Sequence, residues 1–253
     1  MTNKELKIAW LFPNILFLHG ERGNVQALKR VAGFAGLDIC VDKISYDTMN
    51  FNPSDYDVIF CPPGEIVSFG RIIEWLKPHK DALKTFIEEG KILLVTGTSQ
   101  CIFGKETKRE DGSVLEGLGL IDCTFEERKY VYGDDVHFTT SYSGEDKECF
   151  GVQTQMIDVY SNEEPFGHLL YGFGNTGKDR NEGSLVNNSI FTNVLGPMLV
   201  LNPWITKAII SKALANKGIE IDNFEFSTEL EEKSLETKKK FISNKKTRLT
   251  NCL

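Results

Sequence analysis

Four short apolar segments occupy the first hundred residues of this chain, and helix-patterned runs separate them. No other feature limits its fold as much. Residues 6–12, 38–44, 57–61 and 91–95 are rich in Ile, Val, Leu and Phe and read as buried strands. Residues 23–34, 66–75 and 80–89 instead space their apolar side chains as one face of a helix, and Gly90 is placed to cap the last of these. Strands alternating with helices at this interval predict an α/β fold: a doubly wound, mostly parallel sheet with helices on both faces. Ligands of such sheets lie beyond the C-terminal ends of the strands. Residues 14–24, 62–65 and 96–100 are thereby expected around one crevice.

After residue 118 the pattern changes to shorter Tyr-, Phe-, Val- and Thr-rich runs divided by glycine and charged turns, which predicts antiparallel additions to the parallel core. Residues 172–183 carry four glycines among polar side chains and read as a loop; residues 190–195 read as a closing strand and residues 204–217 as a helix. Beyond residue 222 the chain turns to Glu and Lys, so the expected division is a domain at 1–221 and a charged helix or tail at 222–253. The tail reads as helical to about residue 243 and frayed after it, either solvated or docked on a partner.

A length of 253 residues suits one large domain. With 29 basic and 36 acidic residues the net charge is −7, which argues against nucleic acid or an anionic membrane as the main partner and leaves a small molecule or another protein. Six cysteines lack CxxC spacing and read as reduced core thiols, while four histidines form no metal-binding cluster, so neither a metal nor a cofactor is expected. The first residues contain no signal-peptide core and no run is apolar enough to insert in a membrane; the expected location is the cytoplasm.

Residues 91–100, Lys-Ile-Leu-Leu-Val-Thr-Gly-Thr-Ser-Gln, read as a strand entering a tight turn and then a helix. A turn of this type lifts one side chain out of the sheet and aims backbone N–H groups at whatever binds there. Thr96 is expected at the lifted position, where a thiol would be the more effective nucleophile.

Four segments together resemble the class I glutamine amidotransferases of the cobyric acid synthase type, in particular the glutaminase subunits of lipid II isoglutaminyl synthases. Residues 12–24, ending His-Gly-Glu-Arg-Gly-Asn, resemble that group's YGDRGN segment; residues 91–100 resemble its ICGGYQ elbow. Residues 151–155 stand where it has GFENH, and residues 170–183 followed by 193–197 resemble its YGxGNNGxDxxEG and YLHGP ending. The resemblance covers residues 6–217 and implies a flavodoxin-like sheet, a Mur-ligase-like partner subunit in peptidoglycan amidation, and glutamine as ligand.

In that family a cysteine thiolate attacks the glutamine amide, a histidine moves the proton and backbone N–H groups hold the oxyanion. Matched to it, Thr96 takes the cysteine position and Leu195 the histidine position, and leucine cannot accept a proton. Pro62 and Pro63 stand in the turn that should supply N–H groups, which proline lacks. The resemblance leaves Gly64, Gly97 and Gln100 as binding positions, and Arg128 as either the clamp for the glutamine carboxylate or an arginine on an exposed strand edge. Cys101 is a core helix residue or a substitute nucleophile, and His168 matches no catalytic position. Gly20, Arg22, Gly23 and Asn24 are kept, as is most of the 172–183 loop. The expectation is a subunit of amidotransferase fold that binds or regulates without hydrolysing glutamine; an active or repurposed enzyme using the same crevice is the alternative.

Overall fold

The computed structural model describes residues 5–219 and 224–250. The start of the tail at 222 and Cys252 lie outside them. The elements follow in chain order as β1 (Glu5–Leu11), α1 (Arg22–Phe34), β2 (Asp38–Ile44), β3 (Val58–Cys61), α2 (Phe69–Leu76), α3 (Lys80–Glu88), β4 (Ile92–Thr96) and α4 (Gln100–Phe103). A second group comprises β5 (Glu106–Lys108), β6 (Val114–Glu116), β7 (Cys123–Thr140), β8 (Lys147–Ser161), β9 (Gly167–Tyr171) and β10 (Asn181–Glu182). The chain then returns through β11 (Ser184–Val186), β12 (Ser189–Thr192), α5 (Met198–Leu201), α6 (Pro203–Asn216) and α7 (Glu229–Thr250).

The first sheet has the order β11-β12-β4-β3-β1-β2, parallel throughout except for β11 at its edge. Counting only the parallel strands, this is the flavodoxin-like order with its switch point between β1 and β3. Every residue of β3, β4 and β12 is buried, as a sheet covered on both faces requires. Val25, Leu28 and Val31 of α1 and Ile205, Ile209 and Ile210 of α6 form the core on one face. Phe69, Ile72 and Ile73 of α2 and Leu83, Phe86 and Ile87 of α3 form it on the other. The doubly wound expectation is met.

The expected antiparallel addition is a second sheet, β10-β9-β7-β5-β6, with β8 paired antiparallel along β7 and a register shift between Glu127 and Tyr132; it is mixed, because β5 pairs with β7 in parallel. Two expectations change. The closing strand stops at Thr192 rather than Leu195, and residues 193–195 leave the sheet, with Leu195 bridging to Val152 instead. The expected 172–183 loop contains the short strand β10 near its end.

Helix α7 continues to Thr250 instead of fraying after residue 243, and it lies against its own chain. Lys238 pairs with Asp135 at 2.5 Å, Lys239 with Glu148 at 2.6 Å and Lys245 with Asp134, while Ile242 is buried. Arg30 of α1 also pairs with Glu231 at 3.5 Å. Each pair is partly exposed and contributes at most about 1 kcal/mol, so among the described residues four weak ion pairs and the buried Ile242 hold the helix. Among the described residues no helix is long and apolar enough to cross a membrane.

Candidate functional site

The elbow after β4 forms as the sequence predicts, but its apex falls one residue later. Thr96 is still strand: its backbone is extended at φ −117° and ψ 143°, and it is fully buried. β-Branched threonine suits a strand, so β4 runs through it. Gly97 takes the turn at φ +62°, a conformation glycine adopts without steric cost. The residue lifted toward the crevice is therefore Gly97, which has no side chain. The Thr96 hydroxyl points inward and makes no well-formed hydrogen bond, although it lies near enough to the Glu21 carboxyl to favour its ionised form.

Space at the apex is already taken. A Cβ on Gly97 would stand 2.9 Å from Pro63 Cβ and 3.2 Å from Leu195 Cδ2. Leu195 is held there by a two-way backbone bridge, donating to Val152 O at 2.8 Å and accepting from Val152 N at 3.1 Å. The next residue, Gly196, donates its N–H to Glu21 Oε1 at 2.8 Å; Asn24 Nδ2 donates to Glu21 Oε2 at 2.6 Å, and Asn24 Oδ1 accepts from Leu199 N at 2.9 Å. Burial pushes the Glu21 carboxyl up to about 7, against the opposing pull of these donors. Glu21 is a residue that sequence reasoning passed over. Its position between Gly20 and Arg22 in a retained segment was the available signal.

The Pro62-Pro63-Gly64 turn is tied to its surroundings through carbonyls. Ser99 Oγ donates to Pro62 O at 2.7 Å, Leu18 N to Pro63 O at 3.2 Å and Thr98 Oγ1 to Gly64 O at 2.6 Å. Two of its three residues have no N–H, so the turn presents acceptors where an oxyanion needs donors.

A crevice of about 420 Å³ opens in front of the elbow. Gly64, Glu65, Gly97, Leu195, Arg109 and Glu127 are among the residues that line it. Arg109 Nε donates to Glu127 Oε2 at 2.5 Å and its Nη2 to Glu127 Oε1 at 3.4 Å, a two-point clasp that is less than a quarter exposed. His19, held at φ +59°, also borders the crevice, and partial burial lowers its affinity for a proton.

The other expected positions divide. Gly64 and Gly97 line the crevice; Gln100 does not, being fully buried with Nε2 donating to Gly97 O at 3.1 Å and Asn193 Oδ1 at 3.0 Å. Arg128 is turned away from it. Its Nη1 donates to Asp158 at 2.7 Å and its guanidinium lies 4.3 Å from the Phe173 ring centre. Adjacent strand residues face opposite sides, so the crevice receives Glu127 instead. Cys101 is fully buried in the core and burial pushes its thiol up to about 12, which removes it as a nucleophile at neutral pH. His168 is exposed on β9, outside the crevice lining.

The retained loop buttresses the elbow. Gln153 Oε1 accepts from Phe173 N at 2.9 Å and Gly174 N at 3.1 Å, and Gln155 Nε2 donates to Asn175 O at 3.1 Å. Asn175 Oδ1 accepts from Asn193 Nδ2 at 2.9 Å, and Asn193 in turn accepts from Gln100. A continuous buried polar chain thus runs from β8 to the carbonyl of Gly97. Gln153→Ala leaves two backbone donors without an acceptor and is expected to cost roughly 2–4 kcal/mol. Urea denaturation checks this as a lowered midpoint with an unchanged slope; an unchanged midpoint would refute it.

The sheet order, the elbow and the crevice beyond the strand ends define a class I glutamine amidotransferase-like fold. A glutamine amidotransferase crystal structure superposes with a TM-score of 0.50, covering 81% of this chain and 98% of its own at 14% identity. The glutaminase domain of Trypanosoma brucei CTPS, solved with acivicin, gives 0.51, covering 87% and 96% at 10% identity. Within this class the chain is similar to the GatD subunit of lipid II isoglutaminyl synthase (glutamine-hydrolyzing). It is 28% identical to the Staphylococcus aureus protein over 227 residues, 90% of this chain and 92% of the relative. It is 26% identical to the Streptococcus pneumoniae protein over 215 residues, 84% and 82% respectively. No family model matches the chain.

Proposed function

We propose that this chain is a glutamine amidotransferase-like subunit that does not hydrolyse glutamine and acts as a binding or regulatory partner of a Mur-ligase-like protein in lipid II amidation or a related cell-wall reaction. It would work in the cytoplasm, with residues 1–221 as the amidotransferase-like domain and 222–253 as an appended helix. The observation that carries the reading is the elbow apex: Gly97 offers no nucleophile and Leu195 beside it offers no base. Similarity to GatD over most of both chains supports the pathway, and that relative's description as a subunit supports a protein partner.

Glutamate release from glutamine tests it, measured on the purified chain alone and together with a co-expressed Mur-ligase-like subunit. The expected rate equals the protein-free blank in both. Turnover between about 1 and 1,000 per second, the usual range for enzymes, would overturn the reading.

A further inference from the structure

The β7 wall of the crevice presents the opposite charge from the one a carboxylate clamp requires. Arg128, the cation that strand reading offers for that role, pairs with Asp158 on the far side, and Glu127 faces the crevice in its place. The crevice does contain a guanidinium, Arg109, but Glu127 occupies it at two points, and Glu127 also accepts from Glu110 N at 3.1 Å. An incoming carboxylate would have to displace an anion already clasped there, and would meet Glu127 itself at close range. A second carboxylate, Glu65, lines the crevice with an exposed side chain and no ion-pair partner among the described residues. The remaining walls are largely apolar, with Ile66, Met156 and Leu195 among them.

We propose that the crevice binds small ammonium compounds that lack a carboxylate, with Glu65 receiving the ammonium and the Arg109–Glu127 clasp excluding α-amino acids. Glu127 is thus the specificity-determining residue. This rests on the reading that the crevice no longer hydrolyses glutamine, and it adds the ligand class. Charge selection follows from the site's uncompensated Glu65: an ammonium beside an unpaired carboxylate gains Coulomb energy, while a second carboxylate loses it. The apolar walls hold the carbon chain, and a crevice of about 420 Å³ leaves room for little more than a small metabolite.

Titration calorimetry on the full chain compares glutamine with 4-aminobutanamide, which keeps the amine and the amide and lacks the carboxylate, and with butanamide, which also lacks the amine. The expected order on the native protein is 4-aminobutanamide bound at least about tenfold tighter than either of the others. Glu127→Gln frees Arg109 and should raise glutamine affinity about tenfold. Glu65→Gln, at an exposed position where folding is not at stake, should cut 4-aminobutanamide affinity about tenfold. Glutamine binding as tightly as 4-aminobutanamide overturns the proposal, as does absence of binding by all three compounds. The two readings fail separately: glutamate release sinks the non-hydrolysing subunit, whereas tight glutamine binding without release sinks only the ligand class.

Discussion

Cysteine placed at Thr96 stays hidden, and cysteine placed at Gly97 does not. In Thr96→Cys the new thiol should not react with Ellman's reagent beyond the native background, because residue 96 is fully buried in extended backbone and faces away from the crevice. Little stability should be lost, since the Thr96 hydroxyl makes no well-formed hydrogen bond to lose. Gly97→Cys adds a thiol at the crevice but is costly. A side chain at φ +62° carries about 1–2 kcal/mol of backbone strain, and its Cβ is forced against Pro63 and Leu195, adding about 1–3 kcal/mol of overpacking. The sum, roughly 2–5 kcal/mol, corresponds to a fall in Tm on the order of 5–20 °C for a chain of this size. Neither variant should hydrolyse glutamine, because Leu195 supplies no base. Rapid labelling of Thr96→Cys, or hydrolysis by it, would return the apex to residue 96 and overturn this description of the elbow.

That one-residue difference marks where the sequence stops being legible. The parallel core was readable because its signals are redundant: β3 and β4 are unbroken apolar runs, the intervening helices carry their own period, and Gly90 takes the positive φ a helix cap demands. A turn apex has no such redundancy. Thr96 and Gly97 both fit the end of a strand by composition, and only the backbone angle separates them. Arg128, left open between a carboxylate clamp and a strand-edge arginine, faces away from the crevice for a similar reason. A strand's side chains alternate with period 2, so an error of one residue moves an arginine to the opposite face and brings a glutamate to the crevice; the irregular pairing of β7 and β8 between Glu127 and Tyr132 hides the register there. Arg109 was illegible because it follows the short strand β5 and reaches the crevice only through its clasp with a residue 18 positions later.

The retained glycine-rich loop was legible as a motif but not as a device. Gln153 and Gln155 replace residues of the related motif, and their amides anchor the loop's backbone and so support Asn193, Gln100 and the elbow carbonyl. A scaffold whose parts brace one another in this way holds the elbow's shape independently of the side chain at its apex. The same bracing encloses two carboxyls, Glu21 and Glu182, that have no cation beside them among the described residues.

Those carboxyls should make the protein less stable as pH rises from about 4.5 to about 7. Both are fully buried, and burial raises each to about 7, well above its value in an unfolded chain. For Glu182 the pull of Thr192 and the Asn193 N–H opposes this, yet its second oxygen makes no hydrogen bond. A group whose folded pKa is raised binds its proton more tightly when folded, so its stabilising contribution is complete below the unfolded value and disappears as pH passes through the folded one. With roughly 1.4 kcal/mol per unit, each carboxyl accounts for about 3 kcal/mol across that window. His19 and His79 act oppositely, since burial lowers both and their release from protonation favours the fold as pH rises. The carboxyl contribution is therefore isolated by difference. Glu182→Gln keeps an oxygen for Thr192 and Asn193 and cannot ionise; it should match the native protein near pH 4.5 and exceed it by about 1–3 kcal/mol at pH 8 in urea denaturation. Equal stability of the two proteins at pH 8, or a native advantage that grows with pH, would mean that Glu182 ionises in place without cost and that the buried chain behind the elbow tolerates a charge.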